Sequence, residues 1–76
     1  MAERTTVDAR GALCPAPLME LIATLKFVEI GDEIEVLTTD EGSSKDIPVW
    51  VNKVGHSMVG VTKVEDHWSV VMVKQK

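Results

Sequence analysis

The sequence has little cysteine, few aromatic residues and no long apolar run. Its single cysteine, Cys14, excludes an internal disulfide and a zinc site built from several thiolates, and it leaves no second thiol to resolve an oxidised one. The apolar runs are shorter than the roughly 20 residues that a membrane-spanning helix needs. The first six residues contain no apolar stretch, so we expect no secretory signal and a cytoplasmic protein.

Basic residues are also scarce, because 8 Lys and Arg stand against 12 Asp and Glu, for a net charge of −4 at pH 7. Apart from Lys74 and Lys76 they are scattered along the chain, whereas binding to nucleic-acid phosphates needs clustered positive charge. The composition therefore argues against direct nucleic-acid binding. It suits solubility, or a protein partner with a basic face.

The length of 76 residues leaves room for one hydrophobic core, so we expect a single domain over residues 1–76. Two helices are predicted where apolar residues recur every three or four positions, over 15–25 and 47–54. Four strands are predicted from alternation or from a high content of Val and Thr, over 6–9, 33–38, 58–64 and 68–74. Residues 40–44 are predicted to be a loop.

The resulting order, β-α-β-α-β-β, predicts the fold class. At this size it indicates an α/β two-layer sandwich, in which two helices cover one face of a four-stranded mixed sheet. The last two strands are predicted to form a hairpin that turns at 65–67, although this turn lacks the usual glycine. Both strands carry apolar residues on both faces, so the sequence leaves open which face of the hairpin is buried.

The segment Cys14-Pro15-Ala16-Pro17 is the one sharp motif. Two prolines one residue apart cannot lie inside a helix, because each lacks an amide donor and its ring clashes with the preceding turn. Both are tolerated at the first and third helical positions, so we predict that the helix begins at Pro15 with Cys14 as its cap. A thiol there faces the positive end of the helix dipole, and we expect a lowered pKa for Cys14, between about 7 and 8.

A lone cysteine is more often a small buried apolar residue, but these prolines fix a position that packing alone would not need to fix. Residues 8–17 read DARGALCPAP, which resembles the D-x-R-G-x-x-C-P-x-P signature of the TusA (SirA-like) sulfur-carrier family. The similarity covers essentially the whole chain and includes residues 40–43, 46–48 and 55–56. It implies a small α/β sandwich whose cysteine carries sulfane sulfur as a persulfide.

Carried over by position, the resemblance makes Cys14 the sulfur acceptor. The supporting residues of the motif are Asp8, Arg10, Gly11, Pro15 and Pro17. From the residues alone, Asp8 and Arg10 either pair and orient the loop, with Arg10 assisting the thiolate, or form a solvated strand end.

The resemblance also implies a carrier rather than an enzyme with turnover of its own. Its persulfide donor would be a cysteine desulfurase, a rhodanese or a DsrE-type transferase, and its acceptor another sulfurtransferase. Two pathways stay open, namely thiolation of the wobble uridine of tRNA and sulfur oxidation or thiosulfate metabolism. Within the first predicted helix, residues 18–22 are acidic and apolar, whereas family members often have a basic helix face after this motif. This difference affects which partner the protein would serve. We expect a monomer without cofactors.

Two other functions stay open. The element order resembles the C-terminal domain of bacterial translation initiation factor three, so the chain is alternatively an RNA- or protein-binding module without thiol chemistry. A thiol-based redox sensor is the third hypothesis, although it lacks a resolving cysteine. We expect His56 to be a cation at a helix end and His67 to be exposed in the hairpin turn, and neither has the spacing of a metal ligand, so no metal site is predicted.

Overall fold

A computed structural model describes residues 3–76, which form the six predicted elements in the predicted order. The strands and helices are β1 Arg4–Asp8, α1 Ala16–Thr24, β2 Glu33–Thr38, α2 Glu41–Lys53, β3 Ser57–Val64 and β4 His67–Val73. A short 3-10 helix, Leu25–Phe27, follows α1. Across residues 3–76, no helix combines the length and the apolar character needed to cross a bilayer.

The four strands form one mixed sheet in the order β1-β2-β4-β3. The pair β1 and β2 is parallel, because α1 connects them, whereas β2 with β4 and β4 with β3 are antiparallel pairs. Both helices pack on the same face of the sheet. The predicted α/β sandwich with a mixed sheet is therefore confirmed.

The hydrophobic core lies between the helices and this face of the sheet. Side chains alternate along a strand, so every second residue of β2 and β4 faces the helices. The core side chains come from α1, the 3-10 helix, α2 and both central strands: Leu21, Leu25, Ile34, Val36, Ile47, Val51, Val70 and Met72. Trp50 and Trp68 are half-buried against this cluster, as expected for an aromatic ring at the margin of a small core.

The predicted hairpin is confirmed, since β3 and β4 are antiparallel neighbours. The structure also shows which face of the hairpin is buried. In β4, Val70 and Met72 face the helices, while Ser69 and Val71 on the other face are also buried. The partner strand β3 lies at the edge of the sheet and is mostly exposed. Glycine is usual in such a turn because it adopts a positive φ easily. Here Glu65 adopts this left-handed conformation, with φ of +53°.

The predicted loop at 40–44 is wrong, because α2 already begins at Glu41. Asp40 caps the helix by accepting hydrogen bonds from the Ser43 amide at 3.0 Å and the Ser43 hydroxyl at 2.8 Å. Aspartate is among the strongest N-cap residues, and its carboxylate satisfies an amide that the first turn leaves unpaired. The first strand also differs slightly, since β1 covers Arg4–Asp8 rather than 6–9.

Lys74, directly after β4, connects the end of the chain to the segment that follows α1. Its ammonium group donates hydrogen bonds to the carbonyls of Leu25 at 2.8 Å and Val28 at 2.9 Å. Helix ends leave such carbonyls without backbone partners, so the lysine satisfies two of them at once. The Lys74 amide also donates to the Asp32 carbonyl at 3.0 Å, which secures the approach to β2.

We expect the substitution Lys74→Met to lower the free energy of unfolding by about 1–3 kcal/mol, because two carbonyls lose a charged donor while the aliphatic packing is kept. Urea denaturation followed by tryptophan fluorescence measures this loss. The matched control is Lys26→Met, an exposed lysine in the 3-10 helix, which we expect to change stability by less than about 0.5 kcal/mol. Equal losses in the two variants would contradict the role of Lys74.

Candidate functional site

Cys14 lies in the loop between β1 and α1, and it is exposed. The Cys14–Pro15 peptide bond is cis, and the turn around it is closed by the Ala16 amide, which donates to the Leu13 carbonyl at 2.8 Å. Pro15 has φ −97° and ψ 16°, so it is the cap of α1, and its carbonyl accepts the first helical hydrogen bond from Met19 at 3.0 Å. The prediction that Cys14 caps a helix beginning at Pro15 is therefore wrong by one residue.

The second proline of the motif has a different environment from the first. Pro17 occupies the second position of α1. Amides in the first turn of a helix have no partner within the helix, so the missing amide of Pro17 costs no hydrogen bond. It is fully buried, whereas Pro15 is exposed. Pro17 thus anchors the start of α1 in the core, and Leu13 and Cys14 are held on the surface before it.

The loop is fixed against the beginning of α2. The Cys14 amide donates to Asp40 Oδ2 at 3.2 Å, the same carboxylate oxygen that accepts the amide and hydroxyl of Ser43. A second contact joins the Gly11 amide to the Thr39 hydroxyl oxygen at 2.9 Å. Gly11 has φ of +87°, a conformation that other residues rarely adopt, which explains the glycine at this position of the motif.

Asp46, one turn further along α2, lies beside the thiol. Its Oδ2 is 3.5 Å from Cys14 Sγ, at hydrogen-bond distance for a sulfur donor. Neither Asp40 nor Asp46 was singled out as a site residue from the sequence, since both contacts depend on how α2 packs against the loop. The sequence signal for Asp40 is its residue type, since aspartate is a preferred N-cap.

These neighbours raise the pKa of the Cys14 thiol above its ordinary value. Nearby atoms remove part of the sulfur's hydration, which is the largest cause, and the Asp46 carboxylate then opposes a second negative charge. Asp40 adds to this effect, and the Ser43 hydroxyl acts weakly in the opposite direction. The expected lowering to between about 7 and 8 is therefore wrong. The favourable effect of the helix end is outweighed by the desolvation of the sulfur and by the Asp46 carboxylate 3.5 Å away.

Asp8 and Arg10 form a two-pronged ion pair at the end of β1. Arg10 Nε donates to Asp8 Oδ1 at 2.9 Å, and its terminal nitrogen lies 2.8 Å from Oδ2. The Arg10 side chain and amide together lower the pKa of Asp8 to about 2. Of the two alternatives left open by the sequence, the structure thus has the guanidinium group paired with Asp8.

The histidines make hydrogen bonds to residues outside the Cys14 loop. His56 Nδ1 accepts a hydrogen bond from the Gln75 amide at 3.0 Å, and partial burial lowers its pKa, with help from nearby lysines. The expected cation at the end of α2 is therefore wrong, because burial, the nearby lysines and the hydrogen bond that Nδ1 accepts all favour the neutral ring. His67 is half-buried at the start of β4 rather than exposed. Within residues 3–76, no group of three or more His, Cys, Asp or Glu side chains is placed to hold a metal ion.

The site as a whole presents the Cys14 sulfur at the surface of the protein. A depression of about 420 Å³ does exist on the uncovered face of the sheet, but its lining, which includes Arg4, Glu35, Val59 and Val71, shares no residue with the Cys14 loop. An exposed thiol on a fixed loop can be reached by a sulfur atom on another protein. This geometry suits exchange between two proteins better than the enclosure of a small substrate.

Comparison with known proteins agrees with these features. The sequence model of the family described as Sulfurtransferase TusA matches residues 5–74. A protein of Archaeoglobus fulgidus, whose name includes the words sulfur carrier protein, is 60% identical over 70 residues, which cover 92% of this chain and 96% of that protein. The sulfur carrier protein TusA of Pseudomonas entomophila is 34% identical over 55 residues, covering 72% of this chain and 69% of the relative.

The fold has a counterpart among solved structures. The crystal structure of a SirA-like protein from Desulfitobacterium hafniense superposes on this protein with a TM-score of 0.82. The superposition covers 95% of this chain and 99% of the SirA-like chain, and the two sequences are 23% identical. That likeness establishes the shared fold. The matched family region contains the Cys14 loop, both helices and both central strands, and the chain therefore belongs to the TusA family of sulfur carrier proteins.

Proposed function

We propose that this protein accepts sulfane sulfur as a persulfide on Cys14 and passes it to a second protein. The observation that carries the proposal is the exposed Cys14 thiol, held on a loop that the rest of the site fixes in place. Cys14 is also the single cysteine of the chain, so no internal thiol can discharge a persulfide formed on it. The names of the relatives, which describe sulfur carriers, support the same role.

The transfer is an exchange between sulfur atoms. The Cys14 thiolate attacks the outer sulfur of a donor persulfide, and a sulfur–sulfur bond forms on Cys14 as the bond between the two donor sulfurs breaks. The inner sulfur leaves as the donor thiolate and takes up the proton that Cys14 gave to solvent. Cys14 is thereby oxidised to the persulfide and the donor reduced to the thiol, so no external oxidant is needed.

The supporting residues of the motif act on the loop and not on the sulfur itself. The Asp8–Arg10 pair shapes its first part, and Gly11 provides the backbone conformation that brings it to Thr39. Pro15 and Pro17 then fix the junction with α1. These residues keep Cys14 presented to a partner.

Membership of a sulfur carrier family implies a sulfur donor protein and an acceptor protein. As donors we propose a cysteine desulfurase, a rhodanese or a DsrE-type transferase, and as acceptor a further sulfurtransferase. The delivered sulfur serves either thiolation of tRNA or sulfur oxidation and thiosulfate metabolism. A free thiol in this role suits the cytoplasm, where thiols are kept reduced.

Mass spectrometry of the intact protein after incubation with a persulfide donor tests the proposal directly. We expect a gain of one or more sulfur atoms, which a reducing thiol removes and which Cys14→Ser does not show. The matched substitution Ser57→Ala, at an exposed position of β3, should load like the wild type. A wild-type protein that gains no sulfur from several donors would contradict the carrier function and favour a binding module without thiol chemistry.

The pH dependence of Cys14 alkylation gives a second prediction. Because the pKa of Cys14 is raised, its proton stays on the sulfur at neutral pH and the thiolate fraction grows only at higher pH. The rate of reaction with iodoacetamide should therefore reach its midpoint above the value of about 8.5 found for free cysteine. A midpoint below that value would show that the helix dipole, and not the carboxylates, controls the thiol.

A further inference from the structure

The position of Asp46 beside the thiol is set by a rigid element. The residue lies in the second turn of α2, and its neighbour Ile47 is fully buried in the core, as is Val51 one turn further. Asp46 itself is exposed and directs Oδ2 to Cys14 Sγ at 3.5 Å. Both the carboxylate and the sulfur are therefore within reach of a molecule that approaches this surface.

The charges that face the sulfur are negative. From α2 they are the carboxylates of Asp46 and Asp40, and the hydroxyl of Ser43 between them is neutral. From α1 there is no charge, because the first turn, 16–19, consists of Ala, Pro, Leu and Met. Two basic residues of these segments pair with other carboxylates, since Arg10 lies 2.8 Å from Asp8 and Lys45 lies 3.6 Å from Glu41.

We propose that Asp46 is a positioning residue that holds Cys14 as the neutral thiol in the free protein, and that a sulfur donor presents a cationic group to Asp46 and so frees the sulfur to react. This proposal rests on the sulfur-carrier function proposed above. A cation that pairs with Asp46 draws its Oδ2 from Sγ and cancels the charge that opposes a thiolate. The net charge of −4 on the chain favours the approach of a basic surface in the same way.

The contact between Asp46 and Cys14 protects the thiol while no sulfur donor is bound. Only the thiolate is an effective nucleophile, so a neutral Cys14 reacts slowly with oxidants and with disulfides that lack a positive charge. When the donor's cation engages Asp46, the thiol releases its proton to solvent, and the resulting thiolate attacks the outer sulfur of the donor persulfide. The donor's inner sulfur departs as a thiolate. Partner recognition and activation of the sulfur are thus one event.

Thiol–disulfide exchange with two small disulfides of opposite charge tests the proposal without a partner protein. Cys14 attacks one sulfur of the disulfide, a mixed disulfide forms, and the other half leaves as a thiolate. The probes are cystamine, which carries two ammonium groups, and 3,3′-dithiodipropionate, which carries two carboxylates. We expect the ratio of their rate constants, cystamine over dithiodipropionate, to fall about three- to tenfold in Asp46→Asn at low salt. The alkylation midpoint of Cys14 should fall by about half to one pH unit in the same variant.

The matched control is Glu41→Gln, which removes the same charge from the same helix at a residue that pairs with Lys45. Its rate ratio should stay within about twofold of the wild type. Comparing ratios between variants cancels the intrinsic reactivity of each probe, and circular dichroism confirms that each variant is folded. Should Asp46→Asn fail to fold, the wild type itself is informative, since its preference for cystamine should shrink as salt rises towards about 1 M.

The proposal is overturned if Asp46→Asn and Glu41→Gln change the ratio equally, if Asp46→Asn moves neither the ratio nor the midpoint, or if the wild-type ratio is independent of salt. These disulfides react with Cys14 whether or not the protein carries sulfane sulfur. A normal charge preference without persulfide loading therefore rejects the carrier function, whereas loading without a charge preference rejects the role of Asp46.

Discussion

The carboxylate of Asp40 is the group on which the geometry of the site depends. It accepts the amide and hydroxyl of Ser43 at the start of α2 and, across the loop, the amide of Cys14. The Asp40 amide in turn donates at 3.1 Å to the hydroxyl of Thr38, a fully buried residue at the end of β2. One residue thereby joins a central strand, the second helix and the loop that presents the thiol.

The two carboxylates near Cys14 have opposing effects, because they bind the loop but disfavour a negative charge on the sulfur. The Asp40 and Asp46 carboxylates accept hydrogen bonds from the amide and the thiol of Cys14, yet both oppose a negative charge on the sulfur. The hydrogen bonds from Ser43, and then from the Cys14 amide, keep the pKa of Asp40 below its ordinary value. Its contribution to stability is therefore complete above about pH 3.9 and is lost as the pH falls through the lowered value. At neutral pH the Asp40 carboxylate therefore keeps its hydrogen bond to the Cys14 amide.

Local patterns in the sequence were sufficient for the element order and for β2, whose alternation along Glu33–Thr38 matches its bounds in the structure. They also identified the motif around Cys14. They failed where the outcome depends on contacts distant in sequence, since Asp40 lies 26 residues and Asp46 lies 32 residues from the cysteine. Without the packing of α2 against the loop, the sequence pointed to a helix dipole and Arg10 as the main influences on the thiol, and both act in the direction opposite to that of the carboxylates of Asp40 and Asp46. The start of α1 shifted for a local reason, because the Ala16 amide donates to the Leu13 carbonyl three residues earlier.

The most direct test of the central role of Asp40 is a pH titration followed by nuclear magnetic resonance, in which the Asp40 carboxyl carbon and the Cys14 amide are monitored together. The account predicts that the carboxyl titrates below the ordinary value of about 3.9. It also predicts that the Cys14 amide resonance shifts with the same midpoint, because the two groups are hydrogen-bonded at 3.2 Å. A carboxyl midpoint at or above the ordinary value, with a Cys14 amide insensitive to it, would contradict the account.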